Sequence, residues 1–375
     1  MNGSAPSRGS GRPVPPRWRT RMSILLAVLL AGLAAWTLVP RYGISVTAED
    51  DPWSVPASWT VVERDISFES DGFRLSGTLY SPEGVRNGPA LVAVQQAGTD
   101  TRDNSLMVQM AQHLNAVGYS VLLYDRRGEG ESEGGPERPS YAAMARDAVA
   151  AKHTIADTEE VHPDKIGFWG VSQGGWLAME AAAMSSPAFV IVVGSPLTTP
   201  GEQMEVLAYN YLLVAGHGEE VADRALQIRK AVMDDYFRGE LSHDSATALL
   251  AEVEDEPWFE LAWLPAADDL PEDPEMSSWI LEMDYDPVAA YEGVEAPMLF
   301  MLGGEDFDIP VERTLEIAEA LDDRDEREIV VIPGASHVMR IEEDPADQFE
   351  LEESDASNST KYFFVMGEWL GRLGL

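Results

Sequence analysis

The chain has 375 residues, with 65 Asp plus Glu against 26 Lys plus Arg and a formal net charge of -39 at neutral pH. So acidic a chain repels nucleic-acid phosphates and anionic headgroups, whose binding is driven by Lys and Arg displacing counterions, and this excludes a nucleic-acid binder. It has no cysteine, which excludes disulfides, thiolate nucleophiles and Cys-based metal sites, while a 45% hydrophobic content with ten Trp is enough to bury a large core.

The charge is unevenly spread. All six basic residues of the first 48 (Arg8, Arg12, Arg17, Arg19, Arg21, Arg41) precede the first acid, Glu49. Behind the basic tail 1–21, Met22 to Val39 form 18 uncharged, mostly apolar positions. As a helix they would measure about 27 Å, close to the hydrocarbon thickness of a bilayer. The arginine excess predicts that the N-terminus stays in the cytoplasm and the body is exported. Two outcomes fit, an uncleaved single-pass anchor and a signal peptide cut after Ala48. Residues 40–59, with Pro and Trp, read as a linker, and membrane contact is expected through the N-terminal helix only.

From residue 60 short β-rich runs alternate with helical stretches. Val61 to Glu69 and Arg74 to Tyr80 flank Ser70-Asp71-Gly72 and predict an antiparallel hairpin. Further strands are predicted at Ala90 to Val94, Ser120 to Tyr124, Lys165 to Trp169, Phe189 to Val193, Met298 to Leu302 and Glu328 to Ile332. Helical patterns fall near Ser105 to Val117, Tyr141 to Ala156, Gly175 to Met184, Glu312 to Leu321 and Tyr362 to Leu373. This alternation predicts an α/β fold, a mostly parallel central sheet flanked by helices. Residues 60–196 and 297–375 form that core. Between them, 197–296 lacks a strong strand and reads as a helical lid inserted before the strand that leads to the candidate acid. Its Tyr209, Tyr211, Trp258, Phe259, Trp263, Trp279 and Tyr285 suit either an apolar pocket or simple packing of lid on core. The acidic tract Glu342 to Ser359 reads as a solvated loop.

The segment KIGFWGVSQGGW (Lys165 to Trp176) carries Gly170-Val171-Ser172-Gln173-Gly174 between an apolar run and a helical pattern. A strand feeding a tight turn and then a helix presents Ser172 at the sheet edge, beside the unpaired amides of a helix N-terminus. Serine attacks well only when a base takes its proton and an acid orients that base. Of the six histidines, His113, His153 and His162 lie in or beside helical patterns, and His217 and His243 fall in the lid. His337 follows the strand-like EIVVIP run in Gly334-Ala335-Ser336-His337, where such a sheet opens to its active edge. For the acid, MLFMLGGEDFDIP places Asp306 just beyond a strand, with Asp308 as its rival.

Ser172, Asp306 and His337 follow the order Ser, acid, His, and with SFESDGFRLSGTLYSP and YDRRGEGESEG they resemble the α/β-hydrolase superfamily over roughly residues 62 to 375. The chain looks closest to exported dienelactone-hydrolase-like and prolyl-oligopeptidase-type esterase relatives. That resemblance implies a serine hydrolase, carboxylesterase-like, that splits esters and in some relatives amides through an acyl-enzyme. It implies one oxyanion-hole amide from Gln173. The family's His-Gly pair after the third strand is replaced by Val94-Gln95-Gln96-Ala97-Gly98, so the second donor lies between Gln96 and Ala97. No metal or organic cofactor is implied, and neither HExxH nor a dinucleotide GxGxxG occurs. The expected partner is a small-molecule ester or a short peptide, with neutral or cationic groups favoured over polyanions such as acyl-CoA. Two alternatives stand beside the esterase: a serine aminopeptidase-like peptidase, and a catalytically silent, membrane-tethered binding protein.

Only four Lys remain (Lys152, Lys165, Lys230, Lys361), and this acid-rich, Lys-poor surface points to a salt-rich habitat. Thermal stability should then climb steadily over molar salt as self-repulsion is screened, and a flat melting profile would count against it.

Overall fold

A computed structural model of the protein describes residues 60–97, 101–135, 139–273, 282–321, 324, 326–341 and 357–375. The basic tail, the apolar segment, the linker, Gly98, Trp279 and most of the acidic tract lie outside the described residues. Among the described residues no helix is long and apolar enough to cross a membrane.

Eight strands build one sheet: β1 (Val61–Ser70), β2 (Phe73–Pro82), β3 (Gly88–Val94), β4 (Ser120–Tyr124), β5 (Val161–Val171), β6 (Val190–Val193), β7 (Met298–Gly303) and β8 (Arg327–Ile332). Their order is β1-β2-β4-β3-β5-β6-β7-β8. The hairpin β1–β2 turns at Asp71-Gly72, whose φ values of 50° and 84° are the positive pair that a two-residue hairpin turn requires. Strand β2 runs antiparallel to β4, and every later pairing is parallel. Nine α-helices are described: α1 (Ser105–Ala116), α2 (Tyr141–Ile155), α3 (Gln173–Ser185), α4 (Pro200–Val214), α5 (Glu219–Lys230), α6 (His243–Val253), α7 (Pro287–Gly293), α8 (Val311–Leu321) and α9 (Thr360–Leu373).

The central strands β3, β4, β6 and β7 are buried on both faces, so they read as continuous apolar runs whose alternate side chains go to opposite sides. Ala90, Val92 and Val94 of β3, with Val190, Val192, Phe300 and Leu302, pack beneath Met144 of α2, Leu177 of α3, Tyr291 of α7 and Ala318 of α8. Their sequence neighbours Leu91, Ala93, Ile191, Val193, Leu299 and Met301 pack against Met107 and Leu114 of α1 and Met366 and Trp369 of α9. Each large apolar side chain buried this way contributes about 1.5–3 kcal/mol, which is what fixes the register.

The insertion between β6 and β7 has a core of its own, in which Ala222, Val232, Leu250, Trp258 and Phe259 are buried together. It opens on α4 with a capping box, in which the Thr199 hydroxyl accepts from Glu202 N and the Glu202 carboxylate accepts from Thr199 N. Arg229 is buried there, and its Nη1 donates to the carbonyls of Ala262 (3.0 Å) and Trp263 (3.1 Å). Burial drives its pKa down to about 10. Trp258 and Phe259 therefore belong to the insertion's own core. One pairing was not legible in the sequence: β9 (Arg340–Ile341) and β10 (Ser357–Asn358) pair antiparallel and close the base of the acidic tract. Two-residue strands have no periodicity to read.

A buried ion pair ties the loop after β4 to α2. The Arg127 side chain, 8% exposed, meets the Asp147 carboxylate, 2% exposed, and also reaches Asp71 at the hairpin turn at 3.2 Å. Removing one partner of a buried pair strands the other charge, so Asp147→Ala should destabilise the fold by about 3–5 kcal/mol. Asp71→Asn, at the more exposed partner, should cost about 1 kcal/mol or less. Urea unfolding of the two variants checks this contrast, and equal losses would contradict it.

Candidate active site

The chain passes from β5 to α3 through a single residue, Ser172, at φ 52° and ψ -124°. A side chain rarely tolerates this region, and holding one there costs about 1–3 kcal/mol. The surroundings supply the hold. Ser172 N donates to Val193 O at 2.8 Å, and the Ser172 carbonyl accepts from Gly175 N at 2.9 Å and from the Ser195 hydroxyl at 2.6 Å. Ser195 is fully buried and follows β6 without any motif, so it could not be picked out from sequence.

The start of α3 lies hard against the end of β3: a Cβ at Gly174 would sit 2.1 Å from Val94 O. Gln95, Gln96 and Ala97 therefore adjoin the turn, with Gln95 buried, Gln96 half-buried and Ala97 exposed. The Gln173 amide is the first N–H of α3, one of the donors that an α-helix leaves without an intrahelical acceptor. The Gln173 side chain is buried, and its Nε2 donates to the Tyr141 hydroxyl at 3.3 Å.

The loops after β7 and β8 are joined by backbone bonds, Gly304 N to Ile332 O (2.8 Å) and Glu305 N to Ala335 O (2.9 Å). This brings Asp306 and His337 into contact. His337 Nδ1 and Asp306 Oδ2 are 2.9 Å apart, and the Asp306 side chain is fully buried. With the carboxylate as acceptor, Nδ1 carries the hydrogen and Nε2 is left as the basic nitrogen. The other Asp306 oxygen accepts from Asp308 N at 3.0 Å, so both oxygens are engaged. Asp308 is also buried, but it takes no hydrogen bond from His337, and its Oδ1 has no partner. The structure thus gives Asp306, not its rival, the direct contact with the imidazole.

Ser172 and His337 both adjoin the corner at the end of β6. Val193 O holds Ser172 N, and the next residue, Gly194 at φ 56°, lies so close beneath His337 that a Cβ there would sit 2.6 Å from His337 O and 3.4 Å from Nδ1. No hydrogen bond joins the Ser172 hydroxyl to the imidazole among the described residues; in a free enzyme such contacts are often loose and tighten on substrate. Three other histidines have different surroundings. His113 stacks on Phe363, His162 Nδ1 accepts from Asp164 N, and His243 Nε2 lies 3.2 Å from Leu270 O.

Burial alone would lower the proton affinity of His337. The negative charges of Asp306 and Asp308, with the Asp306 hydrogen bond, outweigh it and raise the imidazole from the ordinary 6.5 to about 9. Burial likewise pushes the Asp308 carboxyl up, against the pull of His337. The two are linked, since each proton that Asp308 takes removes a charge that holds one on His337.

The model of the alpha/beta hydrolase family matches residues 97–351. An uncharacterized protein of Mycobacterium tuberculosis is 37% identical over 152 residues, 40% of this chain and 51% of that protein. The thiohydrolase aneE of Aspergillus aculeatus is 34% identical over 128 residues, 34% of this chain and 39% of that protein. The chain spans about half or less of the length of these curated relatives. An esterase of Pyrococcus furiosus superposes with a TM-score of 0.52 over 90% of this chain and 99% of its own, at 16% identity, a likeness of fold.

The electrostatics of this corner can be read by NMR titration of the histidine rings. His337 should titrate above 6.5, Asp308→Asn should move it down, and Asp306→Asn should move it down further. A His337 that titrates at or below 6.5 in the unaltered protein would overturn this account.

Proposed function

Because the chain belongs to the alpha/beta hydrolase family, we propose that it is an exported serine hydrolase of carboxylic esters, with Ser172 as nucleophile, His337 as base and Asp306 as the acid that orients it. The observation that carries this reading is the 2.9 Å contact of His337 Nδ1 with the buried Asp306 carboxylate, beside the β6 corner that also holds Ser172. The contact fixes the tautomer in which Nε2 can take a proton, and a strained serine at the mouth of α3 is the residue from which to take it.

In the proposed reaction the Ser172 oxygen attacks the ester carbonyl carbon while its proton passes to His337 Nε2. The oxyanion that forms is held by the Gln173 amide and by that of Gln96 or Ala97. The bond to the alcohol oxygen then breaks, His337 returns the proton to the leaving alcohol, and an acyl-serine remains. Water, deprotonated by the same imidazole, attacks that acyl group and frees the acid and Ser172. The name of the Aspergillus relative, a thiohydrolase, supports hydrolysis as the class of reaction. The acidic body disfavours large anionic acyl carriers.

The helical insertion is proposed as the lid. Tyr211 of α4 lies edge-on to Phe307 (5.8 Å) and 6.3 Å from Trp263, and Asn210 Nδ2 donates to Phe307 O at 2.7 Å, beside Asp306. These contacts make Tyr211 and Trp263 the insertion aromatics with the best claim to the pocket. Tyr209 sides with the insertion's core, and Tyr285 packs on Tyr141 and Trp176 while its hydroxyl donates to Glu180. Export, by anchor or by cleaved signal, rests on the arginine-flanked apolar segment at the N-terminus.

A fluorophosphonate probe should label the wild-type protein and not Ser172→Ala, and p-nitrophenyl esters should be cleaved far faster than aminoacyl-anilides. His337 must be neutral to act as base, so its raised pKa predicts that kcat/KM falls as pH drops through a value above 6.5. Labelling that survives in Ser172→Ala, or ester cleavage that survives in it, would remove the assignment.

A further inference from the structure

We infer that Arg126 is a positioning residue, one that aims the backbone amides of Gln96 and Ala97 at the oxyanion; the inference rests on the serine-hydrolase reading above. Arg126 stands two residues beyond the end of β4. Parallel pairing of β3 with β4 sets Ala90 opposite Ser120 and Val92 opposite Leu122, so the segments that follow the two strands leave the sheet side by side. Its Nη2 donates to two successive carbonyls, Gln95 O at 2.8 Å and Gln96 O at 3.0 Å.

In an extended strand successive carbonyls point to opposite sides. Two neighbours turned to one guanidinium nitrogen therefore mark a departure from strand geometry immediately after Val94. In a trans peptide the N–H points away from the carbonyl of the same plane. The N–H paired with Gln95 O is that of Gln96, and the N–H paired with Gln96 O is that of Ala97. Both amides are thus turned away from Arg126 as a pair, the arrangement in which successive backbone N–H groups cradle an anion.

Strand order says what lies in that direction. The sheet runs β4-β3-β5, so the loop after β4, which carries Arg126, and Ser172 after β5 stand on opposite flanks of the segment after β3. Amides facing away from Arg126 face the flank of Ser172. Gly174 comes close to Val94 O and Gln95 O, so the start of α3 adjoins the same segment. A second tie holds the same segment, since the Gln95 side chain donates through Nε2 to Tyr124 O at the end of β4. The guanidinium supplies charge-assisted bonds to a stretch that carries no His-Gly pair, and it fixes donor direction before substrate arrives, which is where such donors gain most of their effect.

The test uses the full chain, p-nitrophenyl butyrate as substrate and an alkyl trifluoromethyl ketone, whose hemiketal oxyanion mimics the intermediate. In Arg126→Ala, kcat should fall about ten- to a hundredfold, less than the loss of a whole donor, with KM little changed. Ketone affinity should fall by the same factor. Arg126→Gln, which keeps most of the side chain's volume, should show the same parallel loss and carries the test if the alanine variant does not fold. Arg126→Lys, which keeps the charge, should recover part of both. Wild-type kcat and ketone affinity in a folded Arg126→Gln, or a loss confined to KM, overturns the inference. Ser172→Ala run alongside separates the two readings. If it hydrolyses the ester like wild type, the serine mechanism fails; if it is silent while the Arg126 variants are unimpaired, only the positioning role fails.

Discussion

A carboxylate buried beside an imidazole stays there only if the backbone on both sides is held, because its desolvation would otherwise drive the two apart or neutralise them. In this chain the hold is the pair of backbone bonds between the loops after β7 and β8, Gly304 to Ile332 and Glu305 to Ala335. From it follow the burial of Asp306, the tautomer of His337 and the linkage with Asp308. Ser172 joins them because parallel strands all end on one side of the sheet, so that residues far apart in sequence arrive at neighbouring strand ends. The serine is held in a strained conformation by a neighbour's carbonyl and a neighbour's hydroxyl, those of Val193 and Ser195.

Much of this was legible in the sequence. Strands buried on both faces must be apolar throughout, and the run Ser120 to Tyr124 was found to the residue. Asp71-Gly72 announced the hairpin because few other pairs tolerate two positive φ angles. Ser172, Asp306 and His337 stood out because each lies just past a strand, and the choice of Asp306 over Asp308 has its physical basis in the 2.9 Å contact. What stayed hidden depends on neighbours distant in sequence. Ser195 is one of many serines until its hydroxyl is seen on the Ser172 carbonyl. Arg126 looks like its neighbour Arg127, yet one reaches the segment after β3 and the other pairs with Asp147 of α2. The aromatic residues of the insertion could not be divided between core and pocket by composition, since Trp258 and Trp263 are five positions apart and pack in different clusters.

The insertion has its own apolar centre and a buried guanidinium that fastens Ala262 and Trp263. Trp263 is itself at a positive φ of 56°, so Arg229 holds the backbone at the point where the insertion turns its aromatic face toward Phe307. The insertion and the core are therefore in contact at Phe307, beside the carboxylate of Asp306.

One of those contacts carries a consequence for how such a molecule diversifies. The side-chain amide of Asn210 grips the carbonyl of Phe307, the residue between the two buried acids. A descendant that exchanged this insertion for another, to greet a different guest, would also have to furnish a new donor for that carbonyl.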